Sequence, residues 1–168
     1  MLPLVIQPSA LKIGLAGEGE GLTRRQAFLS KADVRPTAIP SDAAEFVLKG
    51  LKILFVTGLP YEAAKALADR ARGVGVLVNV EDIPDLCDFH VPAAVRRGDL
   101  LFTVSTGGRA PGLARILREW LARRFGEEWE SRVEDIGRTR SGWRAAGHDP
   151  VEVSRKTREL VAEKGWLQ

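Results

Sequence analysis

The chain has 168 residues, of which 45% are hydrophobic and 28% charged, and its formal net charge is +3. This composition is enough for one real core and too little for two full-sized domains, while the single cysteine excludes a disulfide framework and makes a Cys/His zinc site unexpected. Because no apolar run is long enough to span a bilayer and residues 1–10 lack the sections of a signal peptide, we expect a cytoplasmic protein with no membrane partner.

Short β-rich runs alternate with helical patterns up to Pro111. In chain order, strands are predicted over 11–16, 34–38, 52–56, 76–80 and 100–105, and helices over 22–32 and 61–72. Strands separated by helices favour a parallel sheet with right-handed crossovers. The strand sequences are nearly continuous in apolar residues, which is typical of strands covered on both faces.

Helical patterns take over after Pro111. Pro111 suits a first helical position, and apolar residues follow it at helical spacing. A second helix is predicted over 127–140, and a third begins at Asp149 with Glu152 in a capping-box arrangement. The sequence therefore predicts an α/β fold, a parallel sheet over 1–110 followed by a helical region over 111–168.

The first candidate site is a glycine-rich segment directly after the first strand. Gly17, Gly19 and Gly21 would let backbone N–H groups approach a pyrophosphate at a helix N-terminus. However, Glu18 and Glu20 place negative charge there, and the spacing differs from the usual dinucleotide motif. A dinucleotide loop and an ordinary glycine-rich turn therefore both stay open.

Three further segments end predicted strands. Ser41 and Asp42 follow the second strand, where a carboxylate usually binds a ribose hydroxyl, although here the acid is shifted. Asn79 and Asp82 lie at the end of the fourth strand, where a turn-forming aspartate before a proline is the alternative. The last segment contains hydroxyls, glycines and an arginine directly before a helix, namely Ser105, Thr106, Gly107, Gly108 and Arg109. This combination could bind a carboxylate or phosphate, and an ordinary strand-to-helix turn is the alternative.

In this order and at these intervals, the segments resemble the N-terminal module of siroheme synthase, the precorrin-2 dehydrogenase and sirohydrochlorin ferrochelatase family. The likeness is strongest in VNVEDIP from Val78, FHVPA from Phe89 and LLFTVSTGGRAPGLARILRE from Leu100. It implies a Rossmann-like fold, NAD bound by the glycine loop and Asp82 as the catalytic residue. It also implies that Asn79 and 105–109 contact the substrate and that the helical region makes a homodimer.

The resemblance implies a tetrapyrrole substrate, with Fe²⁺ insertion into sirohydrochlorin as a possible second activity. Such a substrate carries many carboxylates, which gives an electrostatic purpose to arginines such as Arg96, Arg97 and Arg109. No nucleic-acid partner is expected, since the arginines are not interleaved with aromatic residues. We also expect a separate upstream methyltransferase, because the chain has no room for the one fused to some relatives.

The sequence departs from the family mainly on the cofactor side. Relatives have a tighter glycine loop, and they differ after the third strand, where this chain has Thr57, Gly58 and Leu59. The alternative hypothesis is therefore a tetrapyrrole-binding or chelatase-only protein whose NAD loop has degenerated.

Overall fold

The computed structural model describes residues 2–167 and divides into two compact units, the first ending at Val91 and the second beginning at Pro92. The first unit is an α/β layer structure. Its elements are β1 (Ile13–Gly17), α1 (Gly19–Ser30), β2 (Thr37–Ala38), α2 (Glu45–Leu48), β3 (Ile53–Thr57), α3 (Tyr61–Gly73) and β4 (Leu77–Val80).

All four strands of this unit are parallel and lie in the order β2-β1-β3-β4. In the register, Leu15 pairs with Phe55 and Val56 pairs with Val80. The carboxyl ends of the strands therefore meet at one edge of the sheet, which is where open α/β sheets bind ligands. The predicted parallel α/β fold is confirmed.

The core lies on both faces of the sheet. Leu54 and Val56 of β3 belong to one buried cluster, which also includes residues of α3. Ile53 and Phe55 alternate with them and belong to a second cluster, which includes Leu29 of α1. Since side chains of a strand point alternately to opposite faces, the continuous apolar run of β3 is what a doubly covered strand requires.

The second unit is a β-hairpin followed by three helices. Its elements are β5 (Ala93–Arg97), β6 (Leu100–Val104), α4 (Pro111–Arg124), α5 (Trp129–Ala145) and α6 (Pro150–Glu163). The prediction that 100–105 continues the parallel sheet was wrong: β6 pairs antiparallel with β5 in a separate two-stranded sheet. Only Gly98 and Asp99 join these strands, which is too short for a parallel crossover.

The boundary between the two units and the ends of two helices also differ from the predicted ones. The division between the units falls before the hairpin rather than at 110/111. Helix α1 begins three residues earlier than predicted. Helix α5 continues past Arg140 and through Gly142, since a single glycine inside a helix costs only about 1 kcal/mol and does not end it. The capping box at Asp149 is confirmed.

Within residues 2–167, no helix is both long and apolar enough to cross a bilayer.

Candidate active site

The loop after β1 packs against the end of β3. Gly17 has a φ of 138°, and a Cβ there would lie 1.9 Å from the carbonyl oxygen of Thr57. The Glu18 N–H donates to that same oxygen at 3.3 Å. A Cβ on Gly58 would in turn lie 2.3 Å from the carbonyl oxygen of Glu18. Glycines at 17 and 58 are therefore required for the close approach of these two strand ends.

This loop leads into an open helix N-terminus. Helix α1 begins at Gly19, and no side chain caps its first turn. Apart from Gly19 itself, its chain neighbours and the backbone of α1, no atom of residues 2–167 lies within 4 Å of the position that a Cβ on Gly19 would occupy. The first N–H groups of a helix need a partner and favour an anion, so the geometry fits the pyrophosphate of a dinucleotide. Glu20 is the acidic residue of this turn, and it forms an ion pair with Arg24 at 3.7 Å.

The segment after β2 is held by an arginine of α3. Ser41 and Asp42 are exposed. The Arg70 guanidinium donates to the carbonyl oxygens of Ala43 at 2.9 Å and Ser41 at 3.3 Å. These bonds fix the backbone on both sides of Asp42, and the contact of Asp42 with a ribose hydroxyl stays a prediction.

Asp82 lies in a turn directly after β4. The Ile83 N–H donates to the carbonyl oxygen of Val80 at 3.4 Å, which closes the turn. Asp82 is exposed and has a φ of 61°, a left-handed conformation uncommon for residues other than glycine. Such conformations cluster at functional sites, because only the surrounding structure maintains them.

Asn79 is buried beneath this turn, with 6% of its surface exposed. Its side-chain amide donates to the carbonyl oxygen of Phe89 at 2.9 Å and lies 3.5 Å from the Cys87 Sγ. The Cys87 thiol itself contacts the carbonyl oxygen of Val80 at 3.1 Å. Asn79 therefore connects β4 to the end of the first unit, and its contact with substrate stays a prediction.

The segment 105–109 lies in the second unit, before α4. Gly107 and Gly108 have φ values of 63° and 78°. The Thr106 hydroxyl oxygen accepts a hydrogen bond from the Ala110 N–H at 3.2 Å, and the Ser105 hydroxyl oxygen accepts one from Gly107 at 3.3 Å. Its hydroxyls thus stabilise the turn, while the Arg109 side chain is exposed.

The structure places the predicted residues in two groups. The glycine loop, Asp42 and Asp82 follow strands whose carboxyl ends share one edge of the sheet in the first unit. Residues 105–109 belong to the second unit. Of the predicted arginines, Arg97 is engaged structurally, since its guanidinium donates to the carbonyl oxygens of Phe125 and Ala122.

Sequence reasoning missed an ion-pair cluster beside the loop. The Glu81 carboxylate lies 3.6 Å from Arg24 and 3.8 Å from Arg25. Burial lowers the pKa of Arg25, against the opposing effect of the Glu81 charge. The signal available in the sequence was an acid next to Asp82, but a helical arginine gives no sign that it is buried.

No group of three or more His, Cys, Asp or Glu side chains within residues 2–167 is arranged to hold a metal ion.

Comparison with known proteins places this geometry in a family. A family model described as "Putative NAD(P)-binding" matches residues 4–93. The siroheme synthase of Stutzerimonas stutzeri is 29% identical over an alignment 204 residues long, which covers 97% of this chain and 44% of the relative. The siroheme synthase of Methylococcus capsulatus is 31% identical over 137 residues, which cover 70% of this chain and 29% of the relative. The chain thus spans less than half the length of these curated relatives.

A solved structure of SirC, a precorrin-2 dehydrogenase, has the same fold. Its TM-score is 0.77 at 16% identity, over 100% of this chain and 93% of that chain. The family model covers the whole parallel sheet and the uncapped N-terminus of α1, and it spans more than half of the 168 residues. The chain therefore belongs to the NAD(P)-binding family.

Proposed function

We propose that this chain oxidises precorrin-2 to sirohydrochlorin with NAD⁺ as the electron acceptor. The observation that carries the proposal is Asp82, held in a left-handed turn at the same sheet edge as the open N-terminus of α1. Similarity to siroheme synthases over nearly the whole chain supports it, as does the fold shared with SirC.

The proposed reaction removes a hydride and a proton from the macrocycle. NAD⁺, when bound, supplies the hydride acceptor. The Asp82 carboxylate accepts the proton as general base, since it is exposed and lies outside any ion pair found within residues 2–167. Gly17, Gly19, Glu20 and Gly21 form the loop that would hold the cofactor.

The segment after β2 supports NAD over NADP. A 2′-phosphate needs a cationic partner, whereas the ribose hydroxyl needs an acceptor. Arg70 is the arginine that contacts this segment, and its donors are directed to the carbonyl oxygens of Ala43 and Ser41. Asp42 supplies the acceptor and would repel a phosphate. We therefore expect NAD⁺ to bind more tightly than NADP⁺.

The substrate side of the proposal rests on the second unit. Arg109 is exposed beside two glycines in left-handed conformations, so its guanidinium can donate to carboxylates, while the N–H groups of Gly107, Arg109 and Ala110 stabilise the turn itself. We propose that residues 105–109 and Asn79 contact the tetrapyrrole. Fe²⁺ would be a second substrate, bound by the macrocycle nitrogens, with Asp82 accepting the two displaced protons one after the other and passing each to solvent.

We further propose that α4 forms a homodimer contact. Four large apolar residues are exposed along one helix face: Leu113, Ile116, Leu117 and Trp120. Their spacing produces a continuous apolar stripe, which a second copy would cover symmetrically. Trp120→Glu should convert a dimer into a monomer in analytical ultracentrifugation, and an unchanged sedimentation coefficient would count against this contact.

The decisive assay mixes the protein with precorrin-2 and either NAD⁺ or NADP⁺ and follows sirohydrochlorin absorbance. Turnover with NAD⁺ supports the proposal, and no turnover at any cofactor concentration would refute it. Adding Fe²⁺ to preformed sirohydrochlorin then tests for metal insertion separately.

Glu18 and Glu20 favour a second candidate function, a chelatase without cofactor binding, because they place negative charge beside the anion site. Calorimetric titration with NAD⁺ separates the two functions. Tight binding excludes the second candidate, whereas metal insertion without NAD⁺ binding would support it.

A further inference from the structure

The cluster beside the glycine loop joins α1 to the turn that carries Asp82. Glu81 is the residue immediately before Asp82, and its N–H donates to the carbonyl oxygen of Val56 at 2.9 Å. This bond continues the pairing between β3 and β4 by one residue, so the backbone of Glu81 is fixed by the sheet. Its side chain, 19% exposed, reaches α1.

On α1, the carboxylate of Glu81 lies against the first turn. A Cβ on Gly21 would be 2.6 Å from its Oε2 atom, so the carboxylate occupies space that another residue at 21 would take. Arg24 connects Glu81 to Glu20 of the same turn, at 3.6 Å and 3.7 Å respectively. The contacts of Glu81 therefore reach the part of α1 that forms the anion site.

Arg25 is the buried member of this cluster. Its side chain is 13% exposed, and its guanidinium lies 4.9 Å from the ring centre of Phe55 and 5.6 Å from that of Phe28. Its Nε is buried without a hydrogen-bond partner. A desolvated cation needs a nearby counter-charge, and Glu81 is the carboxylate that forms an ion pair with it.

We propose that Glu81 is a positioning residue, which through Arg24 and Arg25 holds the Asp82 turn and the first turn of α1 in one fixed arrangement. The left-handed backbone of Asp82 needs such a restraint on the α1 side, because its own side chain is exposed and the other contacts of the turn, from the Ile83 N–H and the Cys87 thiol, come from residues that follow it. The role of Asp82 rests on the proposed function, whereas the role of the α1 turn rests on cofactor binding alone.

The test compares Glu81→Gln with Asp69→Asn, a control that removes exposed ion pairs with Lys65 and Arg72 elsewhere in the same unit. We expect Glu81→Gln to lower kcat by about tenfold and to change KM for precorrin-2 by less than about twofold, since misplacement acts mainly on the reacting geometry. It should also raise the Kd for NAD⁺ by about threefold, measured by calorimetry without turnover. The control should change none of the three.

A double variant separates positioning from stability. Arg25→Met with Glu81→Leu replaces the partly buried pair by apolar side chains, an exchange that often leaves stability unchanged. We expect it to melt within a few degrees of the wild type and yet to show the same loss of kcat and the same rise in Kd as Glu81→Gln.

Wild-type kinetics and NAD⁺ affinity in either Glu81 variant would overturn the inference. If the wild type binds NAD⁺ but does not oxidise precorrin-2, the proposed function fails, while the calorimetric comparison still decides whether Glu81 positions the α1 turn.

Discussion

Two helices of similar length begin in opposite ways. Helix α6 in the second unit begins with a complete capping box, in which the Asp149 carboxylate accepts from the Glu152 N–H at 2.8 Å. Helix α1 in the first unit begins without any side-chain cap, at Gly19, and Gly17 and Gly19 both have a positive φ. Since α2 to α5 also begin without a side-chain cap, the capping box distinguishes α6, whereas α1 is distinguished by the glycine loop before it, where we propose that the cofactor binds.

The largest effect is expected at Asp82. Asn also tolerates a left-handed backbone, so Asp82→Asn should keep the turn and NAD⁺ affinity, but it removes the proton acceptor. We expect precorrin-2 oxidation to fall by about 10²- to 10⁴-fold in a sirohydrochlorin absorbance assay. Asp85→Asn, three residues away and exposed, is the matched control. Full activity of the Asp82 variant would remove the catalytic assignment.

Replacing Gly17 or Gly142 by alanine should change stability in opposite directions. Gly17→Ala places a Cβ 1.9 Å from a carbonyl oxygen at a φ of 138°, and should lower the free energy of unfolding by about 3 kcal/mol. A Cβ at position 142, inside α5, would meet no atom of residues 2–167 within 4 Å apart from its two chain neighbours and the backbone of its own helix. Gly142→Ala should therefore raise the free energy of unfolding by about 0.5–1 kcal/mol. Denaturant unfolding measures both, and equal shifts would show that the first loop is not constrained as described.

The sequence was most informative where local chemistry decides structure. Apolar runs predicted the parallel strands, and the Asp149 capping box was read directly from residue spacing. The hairpin of β5 and β6 was missed because the apolar run of β6 was read as a fifth parallel strand, although Gly98 and Asp99 between two short runs were a usable turn signal.

The candidate site was predictable only in part, for a related reason. Asp82 could be identified from its motif, but its left-handed backbone and the burial of Arg25 depend on tertiary packing. Glu81 and Arg25 are 56 positions apart in the sequence, and no local pattern connects them. The residues at the ends of the strands could thus be predicted from the sequence, whereas the contacts between them could be identified only from the three-dimensional structure.

A cap can also be removed without affecting the anion site. Asp149→Ala should lower the free energy of unfolding by about 1 kcal/mol, because the N–H of Glu152 loses its acceptor. The Kd for NAD⁺ should stay unchanged in calorimetry, since α6 belongs to the unit without the glycine loop. A weaker affinity for NAD⁺ in this variant would contradict the different roles given to the N-termini of α1 and α6.

The smallest expected effect is a dependence of stability on pH, and it comes from Glu152 in the same capping box. Hydrogen bonds from His148 and then from the Asp149 N–H lower the pKa of Glu152 below its usual value of 4.5. Between the two pKa values the unfolded chain binds more protons than the folded chain, so the stabilisation by Glu152 is complete above about pH 5 and is lost as the pH falls through its folded pKa. Glu152→Gln keeps the shape of the cap but not the charge. The urea midpoints of the wild type and this variant should therefore differ at neutral pH and become equal in acid. A difference that does not depend on pH would show that the charge of Glu152 contributes nothing to the cap.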